Sequence, residues 1–281
     1  MNAQAALRPV KAKAPPVPDE YLPIVFPERH AKPRRIQRLA QAGLDLLYPP
    51  HCIACPRSLT SGGNGVFCDA CATDIQWIGH ARCKRCGDRA GEGLGVIAEC
   101  PSCRNHPPAF VLATSAVAQY EAGPLRQAVL SLKFGHALFV TPILARLLAE
   151  RIRMTKLWEN SPPPVALIPV PLFKKDRRTR GFNQTEELAT LLSQELKIPV
   201  ENGLLKKIRN TAPQATLERA QRLENLKGVF QADPKRAARY KDKSIILVDD
   251  VMTTGATMSE CARTLNAAGI GAIYAAVVAR G

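Results

Sequence analysis

Long apolar runs are missing from this chain of 281 residues. Its longest, Ala272 to Ala279, falls well short of the ~18 residues a membrane-spanning helix needs, so a membrane span is excluded. The first thirty residues hold proline and lysine but no apolar segment of the secretory kind, so a cytoplasmic protein is expected. Aromatic residues make up 5%, which argues against a carbohydrate-stacking surface. What is present is ordinary for a globular protein: 46% hydrophobic and 22% charged residues exclude global disorder. At about 100–200 residues per domain, the length predicts two domains.

Acidic residues are scarce beside basic ones, 24 against 39, giving a formal charge of +15. Residues 1–51 carry eight basic and four acidic groups, residues 52–103 five of each, and residues 104–281 twenty-six and fifteen. A neutral middle between basic flanks points to phosphate, on nucleic acid or on a small substrate. A basic surface that serves only solubility accounts for the charge equally well.

Eight of the nine cysteines fall in four Cys-x-x-Cys pairs: Cys52/Cys55, Cys68/Cys71, Cys83/Cys86 and Cys100/Cys103. Twelve residues separate the first two pairs and thirteen the last two. Such a turn aims two thiolates at one tetrahedral Zn²⁺, and two turns close a Cys₄ site. Disulfides do not fit a chain without a secretory signal. A thioredoxin-type redox pair needs one such motif, not four, and the ferredoxin Cys-x₂-Cys-x₂-Cys run is absent. Two structural zinc ions are expected, paired sequentially, with interleaved pairing of the first and third motifs as the alternative. Ser61–Gly65 and Gly91–Gly95 mark the tips of two expected hairpins. Val66, Phe67, Ile75, Trp77 and Ile78 are too few to form a core, so zinc should supply much of this unit's folding free energy. With both thiolate sets closed, His51, His80 and His106 are expected to be bystanders.

Prolines from Pro15 to Pro33, interspersed with lysine and arginine, predict a disordered basic arm over residues 1–35. Ile36, Leu39, Ala40, Gly43, Leu44 and Leu47 recur at helical spacing, so residues 36–50 should be a helix leading into the zinc unit at 51–106. From residue 107 to 281 the pattern becomes α/β. Strands are expected at Ala109–Tyr120, Val165–Val170, Ser244–Val248 and Ala272–Ala279. Helices are expected from Gly123-Pro124, over Leu138–Met154, over Asn183–Leu196 with an Asn183/Glu186 capping box, and over Ala256–Ala268. Alternation of this kind gives a parallel sheet covered on both faces, with ligands at the carboxyl ends of the strands.

At one such end the chain reads Ile245-Ile-Leu-Val-Asp-Asp-Val-Met-Thr-Thr-Gly-Ala-Thr257. A strand delivers Asp249 and Asp250, then Thr253, Thr254, Gly255, Ala256 and Thr257 lead into a helix. Hydroxyls and helix N-terminal amides form an anion cradle for a phosphate. Gly-Lys-Ser/Thr is absent, so this is no Walker A loop. The carboxylates would repel phosphate and must address something else, such as ribose hydroxyls with Mg²⁺ nearby. An acidic N-cap pair on an ordinary turn explains Asp250 but not the whole string.

This string resembles the phosphoribosyl pyrophosphate motif of type I phosphoribosyltransferases. Together with the cysteine pairs it resembles the ComF family, a double zinc ribbon followed by a phosphoribosyltransferase-like α/β domain. Pro169 to Gln184 and the segment Gln214, Arg222, Asn225, Lys227, Gly228 and Phe230 are similar to that family too. The resemblance implies that Asp249 and Asp250 contact ribose hydroxyls directly or through Mg²⁺, and that Thr253–Thr257 hold the 5′-phosphate. It implies a phosphoribosyl transfer to an unidentified acceptor or, alternatively, a non-catalytic role in bacterial DNA uptake and utilisation, with single-stranded or duplex DNA held electrostatically.

Lys174, Lys175, Arg177, Arg178 and Arg180 crowd an expected loop at 173–182, where guanidinium forks suit a pyrophosphate. A solvated basic loop is the alternative. Lys206, Lys207 and Arg209 belong either to a closing loop or to a solvated face, with the face favoured. Cys261, one turn into a helix beside Ala262 and Leu265, is expected to be a small core residue.

Overall fold

The computed structural model describes residues 50–59, 65–91, 93–159, 161–211 and 225–281. The basic arm, the helix expected over 36–47, residues 61–64 of the first turn, Gln214 and Arg222 lie outside the described residues.

The cysteine-rich half contains two short helices, α1 (Asp69–Thr73) and α2 (Pro101–Asn105), and two two-residue strands, β1 (Arg82–Cys83) and β2 (Val96–Ile97). The second half runs β3 (Thr114–Gln119), α3 (Pro124–Phe134), a 3₁₀ turn (Leu138–Val140), α4 (Thr141–Thr155) and β4 (Ala166–Pro169). It continues with α5 (Lys174–Arg180), α6 (Gln184–Leu196), β5 (Leu205–Lys207), β6 (Phe230–Ala232), α7 (Pro234–Ala237), β7 (Ile245–Met252), α8 (Ala256–Ala267) and β8 (Ile273–Arg280).

Four strands form one sheet in the order β3-β8-β7-β4, all parallel. The parallel α/β class expected from the alternation is what forms. Along β7 and β8 the side chains alternate between two cores. Ile246, Val248, Tyr274, Ala276 and Val278 face α3, α4 and α6, while Ile245, Leu247, Ile273, Ala275 and Val277 face α8 and the β5–β6 hairpin. Both faces are dry, which is why these strands read as continuous apolar runs.

The boundaries differ from expectation in instructive ways. The β3 strand starts five residues late, because Ala109–Ala113 form the entry loop onto the sheet. The β7 strand runs on through both aspartates to Met252, since its ladder with β8 continues past them, Val251 facing Ala279 and Met252 facing Arg280. The basic stretch at 174–180 is not a loop but the helix α5, stopped by Gly181 at φ 75°. Asn183 caps α6 as expected, accepting from the Thr185 amide, but the box does not close: the Glu186 carboxylate turns to Arg177 instead.

The described residues of the cysteine-rich segment join the cores of the larger one. Val66, Phe67 and Ile75 are buried in the cluster built on α3 and α4, and Cys83, Cys86, Cys100 and Cys103 in the one built on α8. Residues 76–78 pair antiparallel with β3: the Ile78 amide donates to Val117 O at 3.0 Å, and the Gln119 amide to Gln76 O at 2.9 Å. This covers a sheet edge that would otherwise offer unpaired backbone groups. The buried Arg151 of α4 ties the seam by donating to Ala116 O and Gly79 O. One expected hairpin is corrected: β1 pairs with β2 in parallel, and the antiparallel partner of Arg82 is Arg89, so the Gly91–Gly95 turn links a more convoluted knuckle.

Candidate ligand site and metal centres

The eight paired cysteines form two clusters, Cys52/Cys55/Cys68/Cys71 and Cys83/Cys86/Cys100/Cys103, each with all sulfurs within 4.8 Å of one another. Sequential pairing is therefore what the fold brings together, and interleaved pairing is not. The nearest described sulfur contacts are 3.6 Å (Cys55–Cys68), 3.7 Å (Cys86–Cys100) and 3.8 Å (Cys83–Cys103). Thiolates ~2.3 Å from one tetrahedral ion stand about 3.8 Å apart, whereas a disulfide needs ~2.05 Å. The donor set and spacing fit structural Zn²⁺ with no open coordination position. Neither cluster includes a histidine.

The two clusters are built alike, which the spacing only hinted at. In each, the second motif opens a short helix, with Cys68 and Cys100 as N-caps. In each, that cap's amide donates to the first sulfur, Cys68 to Cys52 at 3.4 Å and Cys100 to Cys83 at 3.3 Å. These donors favour thiolate. A hydrogen bond from Cys86, then backbone amides, hold Cys83 down to about 4 against burial. Burial pushes Cys52 up, but the Cys68, Ala54 and Cys55 amides and Cys71 outweigh it and bring it to about 7.

At the carboxyl end of β7, strand alternation sends the two acids to opposite faces. Asp250 is buried toward α3 and α6, where Lys133 Nζ lies 2.8 Å from Oδ1 and Gln184 Nε2 donates to Oδ2 at 3.0 Å. Lys133 is raised: burial pushes it down, but the Asp250 charge and hydrogen bond more than compensate. Asp249, on the side of α8, is pushed up to about 8, first by burial and then by the Asp250 charge, with Lys133 opposing. Its Oδ1 accepts from the Asp250 amide at 2.8 Å. One acid is thus paired with a lysine, while its neighbour is held in surroundings that disfavour its charge.

The Thr253–Thr257 turn follows directly. Gly255 sits at φ 77° as the N-cap of α8, a conformation that a side chain would strain. Thr254 Oγ1 accepts from the Ala256 amide at 3.4 Å, and Ser259 Oγ donates to Gly255 O at 2.8 Å. The first amides of a twelve-residue helix have no intrahelical acceptors, so an anion is favoured here. Arg280, at the end of β8, donates to Met252 O at 3.1 Å and to Thr253 O, fixing the start of the turn.

Over the α8 side stands the β5–β6 hairpin, which the sequence reading did not anticipate. Lys207, treated above as part of a solvated face, is half-buried, with Nζ 2.9 Å from Thr211 Oγ1. Burial lowers it, while the charges of Asp176 and Asp249 work against that and Arg180 adds to it. α5, the hairpin and the end of β7 therefore converge. The Asn225-x-x-Gly228-x-Phe230 segment anchors the hairpin: Gly228 takes φ 64°, its amide donates to Glu260 of α8 at 2.7 Å, and Phe230 is buried.

Of the basic residues on α5, Lys174, Lys175, Arg177 and Arg178 are exposed. Arg177 pairs with Glu186 at 3.1 Å, and Arg180 stacks over the Phe134 ring at 5.3 Å. Cys261 is fully buried among apolar neighbours, as expected for a core residue. Lys133 and Arg280 escaped the sequence reading, although Lys133 lies four residues after Val129 on an apolar helix face and Arg280 ends an apolar strand.

Comparison with known proteins finds two family models. The family model for the double zinc ribbon domain matches residues 43–104, and that for the phosphoribosyl transferase domain matches residues 184–281. Competence protein F of Haemophilus influenzae is 32% identical over 220 residues, covering 78% of this chain and 92% of that protein. The DNA utilization protein YhgH of Escherichia coli K12 is 29% identical over 228 residues, covering 81% and 96%. Competence protein ComFC of Bacillus subtilis is 35% identical over 99 residues, 35% of this chain and 37% of that one. With two Cys₄ clusters seated against a phosphoribosyltransferase-type parallel sheet, and relatives aligned over most of both chains, this chain belongs to the ComF family.

Proposed function

We propose that the chain binds phosphoribosyl pyrophosphate with Mg²⁺ and transfers its phosphoribosyl group to an acceptor. The observation that carries this reading is the split acid pair: a strand that sends one carboxylate to a lysine and the next to the opposite face, and continues into an anion cradle. Thr253, Thr254, Gly255, Ala256 and Thr257 hold the 5′-phosphate through hydroxyls and amides. Asp249 is the acid available to the ribose hydroxyls and to Mg²⁺, a hard ion that takes one or two carboxylates beside phosphate oxygens. Asp250 holds Lys133 and Gln184 in place at the floor of the site. Mg²⁺ supplies charge neutralisation of the pyrophosphate. In this reading residues 51–106 are the zinc unit and 107–281 the transferase-like domain.

The ribose C1–O bond to pyrophosphate breaks and a bond from an acceptor nitrogen forms, the nitrogen losing its proton to solvent. Lys207 and the α5 cations Lys174, Lys175, Arg178 and Arg180 stabilise the leaving pyrophosphate. Pyrophosphate release from zinc-replete protein over a panel of nucleobases tests turnover. Release with none of them, despite binding, favours the second reading.

That second reading is a non-catalytic protein of DNA uptake or utilisation, in line with the names of the relatives. A specific surface favours it. α5 lies beside Phe134, 67% exposed, and the His136 and Phe182 rings meet edge-on at 5.9 Å. Cations interleaved with aromatic faces suit a single strand whose bases stack. Among the described residues no helix is long and apolar enough to cross a membrane.

A further inference from the structure

The second Cys₄ cluster and the phosphate turn are joined by one ion pair. Asp88 follows Cys86 by two residues in the knuckle; its backbone carbonyl accepts from the Cys83 amide at 2.8 Å, and its own amide reaches the Cys86 sulfur. Its carboxylate is fixed on one oxygen by Gln119 Nε2 at 2.8 Å and the Arg89 amide at 2.9 Å. The other oxygen lies 3.6 Å from the Arg280 guanidinium. Arg280 is 6% exposed, and it donates to Met252 O and Thr253 O, the carbonyls that begin the turn. A second strand of contacts runs in parallel. The linker after the cysteines packs Pro108 against Gly255, and the Ala109 amide donates at 3.0 Å to Ser259 Oγ, which itself donates to Gly255 O.

We infer that Asp88 and Arg280 are positioning residues for the phosphate turn, so that the second cysteine cluster is a working part of the ligand site. Electrostatics explains the choice of residues. A closed Cys₄ zinc centre is net anionic, and Arg280 is close enough to Cys86 to act on its charge. Buried between an anionic knuckle and three carbonyls, those of Met252, Thr253 and Gly281, the guanidinium is compensated on one side and aims donors at the turn on the other. Removing the Asp88 charge leaves a buried cation that can regain water only by leaving the turn. The order of the turn follows from these contacts alone; the effect on a ligand rests on the phosphoribosyl pyrophosphate reading.

The test uses the full zinc-loaded chain and the variants Asp88→Asn, Asp88→Glu and Arg280→Lys. Hydrogen exchange is read at amides 254–258, with amides 274–278 as the internal reference. Asp88→Asn should keep both zinc ions, speed exchange of the turn about tenfold without touching the reference strand, and weaken phosphoribosyl pyrophosphate binding about tenfold, the lower end for outer-shell groups at metal sites. Asp88→Glu should restore most of both. If Asp88→Asn loses zinc, Arg280→Lys, which lies outside the cysteine-rich segment and keeps the charge, decides by the same two readings. Unchanged exchange in the turn would overturn the inference. Faster exchange in a protein that binds no phosphoribosyl pyrophosphate even unaltered would keep the inference and remove the ligand reading.

Discussion

Lys133 and Asp250 meet at 2.8 Å at the floor of the site, one from the end of α3 and the other the second of the two adjacent acids. This pairing makes two adjacent carboxylates chemically unequal. Asp250 is engaged on both oxygens, by Lys133 and by Gln184, whereas Asp249 faces the hairpin and Lys207. Replacing the two acids should therefore have different consequences.

Asp250→Asn should cost roughly 2–3 kcal/mol of stability, because it strands a largely buried Lys133 without its counter-charge. Replacing both acids should thus weaken the fold as well as the site. Asp249→Asn should leave the melting temperature unchanged or higher and remove ligand binding. Thermal unfolding of the two single variants distinguishes them; equal losses would contradict the split.

The pH dependence follows from Asp249. Its folded-state pKa lies near 8, above the usual carboxylate range, so the folded protein holds a proton that the unfolded chain gives up near pH 4. Stability contributed by that group falls as pH rises from about 4 to about 8. Binding through Asp249 needs the proton removed, so affinity for phosphoribosyl pyrophosphate with Mg²⁺ should rise with pH toward 8 and level off above. Asp249→Asn, which binds no ligand, should flatten the stability profile. Affinity that peaks below pH 6 would contradict the assignment.

Metal content is the next expectation. Purified protein should hold two zinc ions per chain, and a chelator strong enough to remove them should unfold more than the ribbon. Val66, Phe67 and Ile75 belong to the core of the larger domain, and residues 76–78 cap its sheet edge. Fewer than about one zinc per chain, or iron with visible absorbance, would overturn the assignment.

Much of this was legible because it is local. A period of two, an apolar run or a Cys-x-x-Cys turn is written in neighbouring residues, so the sheet, its order of helices and the two metal sites could be read directly. The acid-threonine string was legible for the same reason. What was not legible depends on distant chain segments meeting. Nothing near Lys133 announces Asp250, and nothing near Asp88 announces Arg280. The apolar residues of the ribbon looked too few because their partners lie in α3 and α4. The basic stretch at 174–180 reads as a loop by charge, yet Phe173 and Gly181 bracket two turns of helix.

Nucleic-acid binding, where it occurs, should come from α5 and the basic arm and not from the neutral cysteine-rich segment. Removing residues 1–35 takes away seven cations and three acids. The slope of log affinity against log salt should shrink by about 0.9 for each lost duplex phosphate contact, or about 0.7 on a single strand. Phe134→Ala should weaken single-stranded binding while sparing duplex. A truncated chain with unchanged affinity and slope would return the contact to the zinc ribbons.

The central claim, that the end of β7 is a phosphoribosyl pyrophosphate site, is tested most directly by calorimetric titration of zinc-replete protein with that compound and Mg²⁺ at pH 8. One saturable site per chain is expected, lost in Asp249→Asn, with about 2.7 kcal/mol of added stability at a hundredfold excess over Kd. A folded, zinc-loaded protein that shows neither heat nor a shift in melting temperature at millimolar ligand would contradict it.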